Sequence, residues 1–152
     1  MAGRRRAREY ALQALYAVDV ANLTGGAALS ALWAGKVDDA ESEEDPPSPE
    51  ETEFAQELVR GVLENRDNLD QRIEAASLHW RLPRMPVVDR NILRLGAHEI
   101  VARPDIPASV SMNEAIELAK RFGGAESRAF VNGILDRIAA DVGRGGRRGR
   151  RS

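Results

Sequence analysis

The sequence predicts an all-α fold, a helical bundle of six to seven short helices. Three observations predict it. Apolar residues recur at spacings of three, four and seven along most of the chain, the pattern of one buried helix face. No segment shows the strict alternation of a half-buried strand. Prolines, glycines and capping residues interrupt the pattern at short intervals, which cuts it into separate helices. A chain of 152 residues can fold as one domain, or as two small subdomains, around a substantial apolar core.

The first helix is expected over about residues 4–23. Ala7, Ala11, Ala14, Leu15 and Val18 make its buried stripe. At about 100° per residue, Arg5, Arg8, Leu12 and Tyr16 share a neighbouring face. Asn22–Gly26 is a break, and "AALSALWAGK" predicts a short second helix with Leu29, Leu32 and Trp33 inward. "VDDAESEEDPPSPE" can bury little apolar surface, so an acidic, mobile loop is expected at 38–48. Ser48 at the N-cap, Pro49 at the first helical position, and Glu50 and Glu51 at the positive end of the dipole start a third helix. That helix carries Phe54, Leu58 and Val62 inward. "NRDNLD" divides it from a fourth, with Leu69, Ile73 and Ala76. The prolines of "LPRMP" end that one. A fifth follows Pro86, with Val88, Ile92, Leu95 and Ile100 at core spacing, and "RPDIP" stops it. Ser111 and Glu114 predict a capping box ahead of "AIELAKRF". Gly123 and Gly124 predict a left-handed end to that helix. The last helix is expected over about 126–142, with Phe130, Ile134 and Ile138 one turn apart. Residues 143–152 hold no apolar side chain and predict a disordered, arginine-rich tail.

Composition removes several functions. The chain has no cysteine, which excludes disulfides, thiolate metal sites and cysteine nucleophiles. No apolar run approaches the roughly 20 residues that cross a bilayer, so no membrane partner is expected. Gln13 and Asp19 interrupt the place where a secretory apolar segment would lie, so a cytoplasmic location is expected. The net charge of −2 conceals segregation. Residues 1–8 carry four arginines and no acid, residues 143–152 five arginines and no acid, and residues 38–57 ten acids and no base. Charge segregated in this way signals partners.

Catalytic patterns are missing from the sequence. His79 and His98 are spaced for no compact metal motif, and a packed or surface histidine is their ordinary role. There is no P-loop, no strand-linked GxGxxG and no nucleophile elbow. The expectation is a protein with no catalytic residues, no cofactor and no metal. The arginines are more informative. Guanidinium groups contact phosphates and stack on bases, and aromatic rings stack on unpaired bases. A helix opening with Arg4, Arg5, Arg6 and Arg8 and carrying Tyr16 suits single-stranded RNA. A solubilising run beside a boundary tyrosine, its ring packed and its hydroxyl wet, fits the same residues.

Three stretches resemble the NusB family of bacterial transcription antitermination factors. "RRRAREYALQALY" is similar to the family's N-terminus, and "VVDRNILRLGAHEI" to its central helix. "NEAIELAKRFG" followed by "ESRAFVNGILDRI" is similar to its C-terminal signature. The resemblance implies one NusB-like domain over 1–152, made of two packed subdomains at about 4–80 and 81–142. It also implies binding without catalysis. NusB-type proteins pair with NusE, a small-subunit ribosomal protein, and bind boxA-type RNA. Through other Nus factors they act indirectly on RNA polymerase and promote ribosomal RNA transcription. The alternative that the resemblance brings is a ribosomal-RNA-targeting module acting with a separate RNA-modifying enzyme. A monomer and a homodimer are both compatible with the sequence.

By position, the family's RNA-contacting surface falls on Arg4, Arg5, Arg6, Arg8 and Tyr16, and on Phe122, Glu126 and Phe130. These two groups are expected to share one patch. Glu126 suits an acceptor for base amino groups and also an ordinary charge at a helix start. NusE is expected along "HWRLPRMPVVDR", touching Trp80, Arg81 and Asp89, although Trp80 also suits the core. Asn132 and Gly133 are expected to be structural, Gly133 by permitting close helix approach. The acidic, proline-rich stretch 38–53 and the tail after Gly143 depart from the family's pattern.

Overall fold

A computed structural model describes residues 3–38, 45–78 and 80–144. His79, most of the expected acidic loop and the expected tail beyond Arg144 lie outside the described residues. Among the described residues the regular structure is helical, with no strand: α1 (Gly3–Ala21), α2 (Gly25–Asp38), α3 (Pro49–Glu64), α4 (Arg66–Ala76), α5 (Val87–Ala102), α6 (Ala108–Phe122) and α7 (Ser127–Asp141). A short 3-10 turn, Leu82–Arg84, joins α4 to α5. No described helix is long and apolar enough to cross a membrane.

The chain divides into two compact units between Leu63 and Glu64, earlier than the boundary expected near residue 80. The reason is α4, which packs on α5 and α7. It buries Leu69, Ile73 and Ala76, and Arg94 of α5 grips Asp70 with paired bonds of 2.8 and 3.0 Å.

In the N-terminal unit, α1 stops at Asn22, whose φ of 58° is a left-handed conformation that asparagine tolerates. Thr24 starts α2 by accepting the Ala27 N–H at 3.1 Å. Ser48 and Glu51 close a reciprocal capping box at α3. The Glu51 N–H donates to Ser48 Oγ at 3.1 Å, and the Ser48 N–H to Glu51 Oε1 at 2.8 Å. The core joins Ala7, Tyr10, Ala11, Leu12, Ala14 and Leu15 to Ala28 and Leu29 of α2 and to Phe54, Leu58, Val59 and Val62 of α3. Val18, Leu32 and Trp33, expected inward, are half-buried. Tyr10 stands edge-on to Trp33, with ring centroids 5.4 Å apart.

In the C-terminal unit α5 is the central helix. Every residue from Asn91 to Ile100 is buried, and α4, α6 and α7 pack on it. Gly96 makes that packing possible, because a Cβ there would lie 2.6 Å from Leu135 Cδ1 of α7. Gly133 has no such duty, since a Cβ there would meet nothing within 4 Å. The close approach expected at Gly133 therefore occurs at Gly96.

Three further expectations are corrected. The Ser111–Glu114 capping box does not form. Pro107 starts α6 one turn earlier, and the buried Ser111 hydroxyl donates to the buried Glu99 carboxylate at 2.8 Å, which needs a donor more than the helix end does. Gly123 ends α6 in an extended conformation, φ −92° and ψ −177°, not a left-handed one. Glycine is needed there for space, because a Cβ would lie 2.6 Å from Ser127 Oγ and 2.8 Å from the Ala119 carbonyl oxygen. Arg144, placed by the sequence in a disordered tail, is held instead. Its Nη1 donates to the Ile100 carbonyl and its Nη2 to that of Ile106, both at 2.6 Å. Carbonyls at the end of α5 carry the negative end of the dipole and attract a cation.

Candidate nucleic-acid interface

The four N-terminal arginines have different surroundings. Arg4 and Arg8, one helical turn apart, both place a guanidinium over the Phe54 ring, 4.8 and 5.5 Å from its centroid. Arg8 is only 4% exposed, so its cation is spent on the core of the unit. Arg6 bonds to the Tyr10 hydroxyl. It also donates to the Asp45 carbonyl at 2.7 Å and pairs with Glu51 at 3.5 Å. Arg5 is exposed, and Tyr16 keeps 43% of its surface in solvent. Of the face expected to meet RNA, these two therefore present their side chains most openly. Arg8 and Leu12, on the same stripe, are buried.

The second group belongs to the C-terminal unit. The turn between α6 and α7 is tied by one hydroxyl. Ser127 Oγ accepts the Gly124 N–H at 2.9 Å and donates to Asp89 Oδ1 at 2.7 Å. Ser127 and Asp89 are both buried, Asp89 to 5% exposure. Asp89 lies in the first turn of α5, where the dipole favours a carboxylate. This fixes the turn against α5 and walls a cavity of about 450 Å³ lined by Trp80, Pro86, Asp89, Gly124, Ala125, Glu126, Ser127 and Phe130. Trp80 and Phe130 form one side, ring centroids 6.3 Å apart and planes at 73°.

Glu126 and Phe130, expected on the RNA surface, thus share a cavity with Trp80 and Asp89, expected on the protein-partner surface. Asp89 is a wall of this cavity. Phe122 and Arg81 are exposed elsewhere on the unit. Phe122, 36% exposed, lies under the Arg121 guanidinium, 5.2 Å from its ring centroid. Asn132 is exposed on α7. Sequence reasoning missed Pro86, Gly124, Ala125 and Ser127, although a serine three residues after a glycine at a helix start is a legible turn signal. Phe54, expected inward on α3 and buried there, also meets the Arg4 and Arg8 guanidinium groups, partners about 50 residues away that the sequence pattern did not show. Among the described residues, no three histidine or carboxylate side chains are grouped to hold a metal ion.

Comparison with known proteins agrees along nearly the whole chain. A model of the NusB family matches residues 5–140. The transcription antitermination protein NusB of Myxococcus xanthus is 52% identical over 139 residues, covering 91% of this chain and 96% of that protein. The solved structure of T. maritima NusB superposes with a TM-score of 0.77 at 36% identity, over 90% of this chain and 89% of that one. A structure of antitermination factors NusB and NusE in complex with dsRNA gives a TM-score of 0.76 at 25% identity, over 91% and 96%.

Proposed function

The chain belongs to the NusB family, and from that premise we propose that it is a transcription antitermination factor. It binds boxA-type RNA together with NusE and, with other Nus factors on RNA polymerase, promotes ribosomal RNA transcription. It acts in the cytoplasm by binding, without catalysis. The observation that carries this reading is the exposure of two aromatic rings, Tyr16 and Phe122, on helices that also carry arginines. Tyr16 lies on the helix that presents Arg5, and Phe122 lies under Arg121. Leaving a large ring in water forgoes up to about 2 kcal/mol of burial, which a stacked base recovers.

In this reading Arg5 is the principal phosphate contact on α1, and Tyr16 offers a stacking face. Arg4, Arg6 and Arg8 hold that surface in shape and add to its positive potential. Phe122, Glu126 and Phe130 contact RNA from the C-terminal unit. NusE reaches the exposed Arg81 and its neighbours.

The test is titration of a labelled boxA-type strand into the protein alone and into its NusE complex, at several salt concentrations. A duplex of the same sequence is run beside it, because the RNA in the solved NusB–NusE relative is double-stranded. The expected result is tighter binding by the complex, preference for the single strand, and a salt slope that flattens by about 0.7 for each phosphate contact removed. Binding of neither RNA by protein or complex would overturn the function. Preference for the duplex would overturn its single-strand form.

A further inference from the structure

The acidic stretch that stands out in the sequence runs into the first turns of α3, and those turns meet the arginines of α1. Arg6 donates to the Asp45 carbonyl at 2.7 Å and pairs with Glu51 at 3.5 Å. Arg4 and Arg8 place their guanidinium groups over Phe54, the residue after Glu53. Arg4, Arg6 and Arg8 therefore all contact Asp45 or the first two turns of α3. We propose that Asp45, Glu50 and Glu53 are internal competitors of RNA phosphates. They neutralise the arginine face of α1 and so set how tightly, and how selectively, it takes RNA. This rests on the RNA reading above and gives a part in it to the acids.

Three observations support the assignment. The first is balance. Residues 3–8 carry four arginines, and residues 45–53 carry four acids, Asp45, Glu50, Glu51 and Glu53. Brought together, the two helix starts are close to neutral, and such a surface draws a polyanion weakly from a distance. The second is reach. Glu51 is held at Arg6, and Glu50 and Glu53 lie one and two residues from it on the same helix. That puts their backbones within about 6 Å of its own, inside a Debye length of about 10 Å at 0.1 M salt. The third is a division of roles among the acids. Glu51 is only 6% exposed; its Oε1 accepts the Ser48 N–H and its Oε2 pairs with Arg6. A Cβ on Gly3 would lie 2.9 Å from Glu51 Cγ, so the two helix starts are in close contact. Glu51 thus holds the starts together. Asp45, Glu50 and Glu53 are exposed. Exposed carboxylates contribute little to folding, and their field acts on whatever approaches. A phosphate nearing Arg5 feels their repulsion as well as the pull of the guanidinium. Weak attraction for every polyanion leaves selection to contacts with the bases.

The test neutralises the three exposed acids together, Asp45→Asn with Glu50→Gln and Glu53→Gln, in the full chain with NusE. Ser48 and Glu51, which cap α3, stay intact. The control removes three other acids, Glu64→Gln, Asp67→Asn and Asp141→Asn; Glu64 closes α3, about 20 Å along the helix from Glu51. The probes are the boxA-type strand and inorganic polyphosphate, which has no base. The triple variant is expected to bind the boxA-type strand about 3- to 10-fold more tightly at about 0.05 M salt, the scale of a few exposed charge interactions. The gain should shrink below about 2-fold at about 0.5 M, where the Debye length is about 4 Å. The salt slope should steepen, because carboxylates displaced in the unmodified chain take back counterions and amides do not. Polyphosphate should gain at least as much as RNA. Asp45→Asn and Glu53→Gln alone should each give a smaller gain of the same sign. If the triple variant binds RNA no more tightly than the unmodified chain, or the control gains as much, this inference fails and the functional reading stands. If RNA tightens and polyphosphate does not, the acids do not compete with phosphates and the inference is wrong. If neither chain binds RNA, both fall.

Discussion

Removing the Ser127 hydroxyl tests how the cavity is built. Ser127→Ala deletes one small group with two bonds, at 2.7 and 2.9 Å, in a buried place. It leaves the buried Asp89 carboxylate without the donor that the structure gives it. A hydrogen bond to a charged group contributes about 1.5–3 kcal/mol, and an orphaned buried polar atom costs a similar amount. The expected loss is about 2–3 kcal/mol. At roughly 2–4 °C per kcal/mol for a chain of this size, the melting point should fall by about 5–10 °C. Urea unfolding followed by helical circular dichroism, on Ser127→Ala, Asp89→Ala and the double variant, measures the pair. The double variant should cost less than the sum of the singles by about 1–3 kcal/mol, because removing both partners leaves no stranded charge. RNA affinity of Ser127→Ala should fall as well, since the turn that walls the cavity is released. Costs that add to within about 0.5 kcal/mol would show that the hydroxyl does not hold Asp89, and this account of the wall would be wrong.

Other outcomes follow from the same contacts. Arg5→Ala should change stability by less than about 0.5 kcal/mol while flattening the salt slope of RNA binding by about 0.7. Arg8→Ala should instead lower stability by about 1–2 kcal/mol in denaturant titration, because Phe54 loses a desolvated cation. Gly133→Ala should stabilise the protein by about 0.5–1 kcal/mol, a helix gain with no clash to oppose it. Gly96→Ala should destabilise it by about 1 kcal/mol or more, because overpacking against Leu135 outweighs the same gain. Arg144→Ala should speed amide hydrogen exchange at the end of α5 and around Ile106, since two carbonyls lose a charged donor.

Elements whose cause lies in neighbouring residues were legible in the sequence. The start of α3 at Ser48 and Pro49, the break before α4 and the proline stops around α5 all depend on local backbone chemistry, and all appear. Features set by distant partners were not legible. Ser111 and Glu114 have capping-box spacing, but Glu99, twelve residues back, takes the serine hydroxyl. Gly133 reads as a packing glycine because it sits in an apolar helix, yet only the position of Leu135 shows that Gly96 is the one in contact. For the candidate site, the residue types were readable and their grouping was not. Asp89 and Phe130 lie 41 positions apart, and only the packing of α7 on α5 puts them in one cavity. The division between Leu63 and Glu64 was hidden for the same reason, since α4 belongs with whatever buries Leu69 and Ile73.

The sign of charge separates the two kinds of contact that an RNA ligand needs. A phosphate about 4 Å from a carboxylate, at the effective dielectric of a protein surface, is disfavoured by about 4 kcal/mol. Asp89 and Glu126 are the charged side chains among the described residues that line the cavity, so a phosphate is disfavoured there. Arg5 has the opposite character, since a guanidinium binds any phosphate and is indifferent to the base attached. On the proposed reading, the salt-dependent part of RNA affinity belongs to the α1 arginine face, and the cavity at the start of α7 contributes little of it.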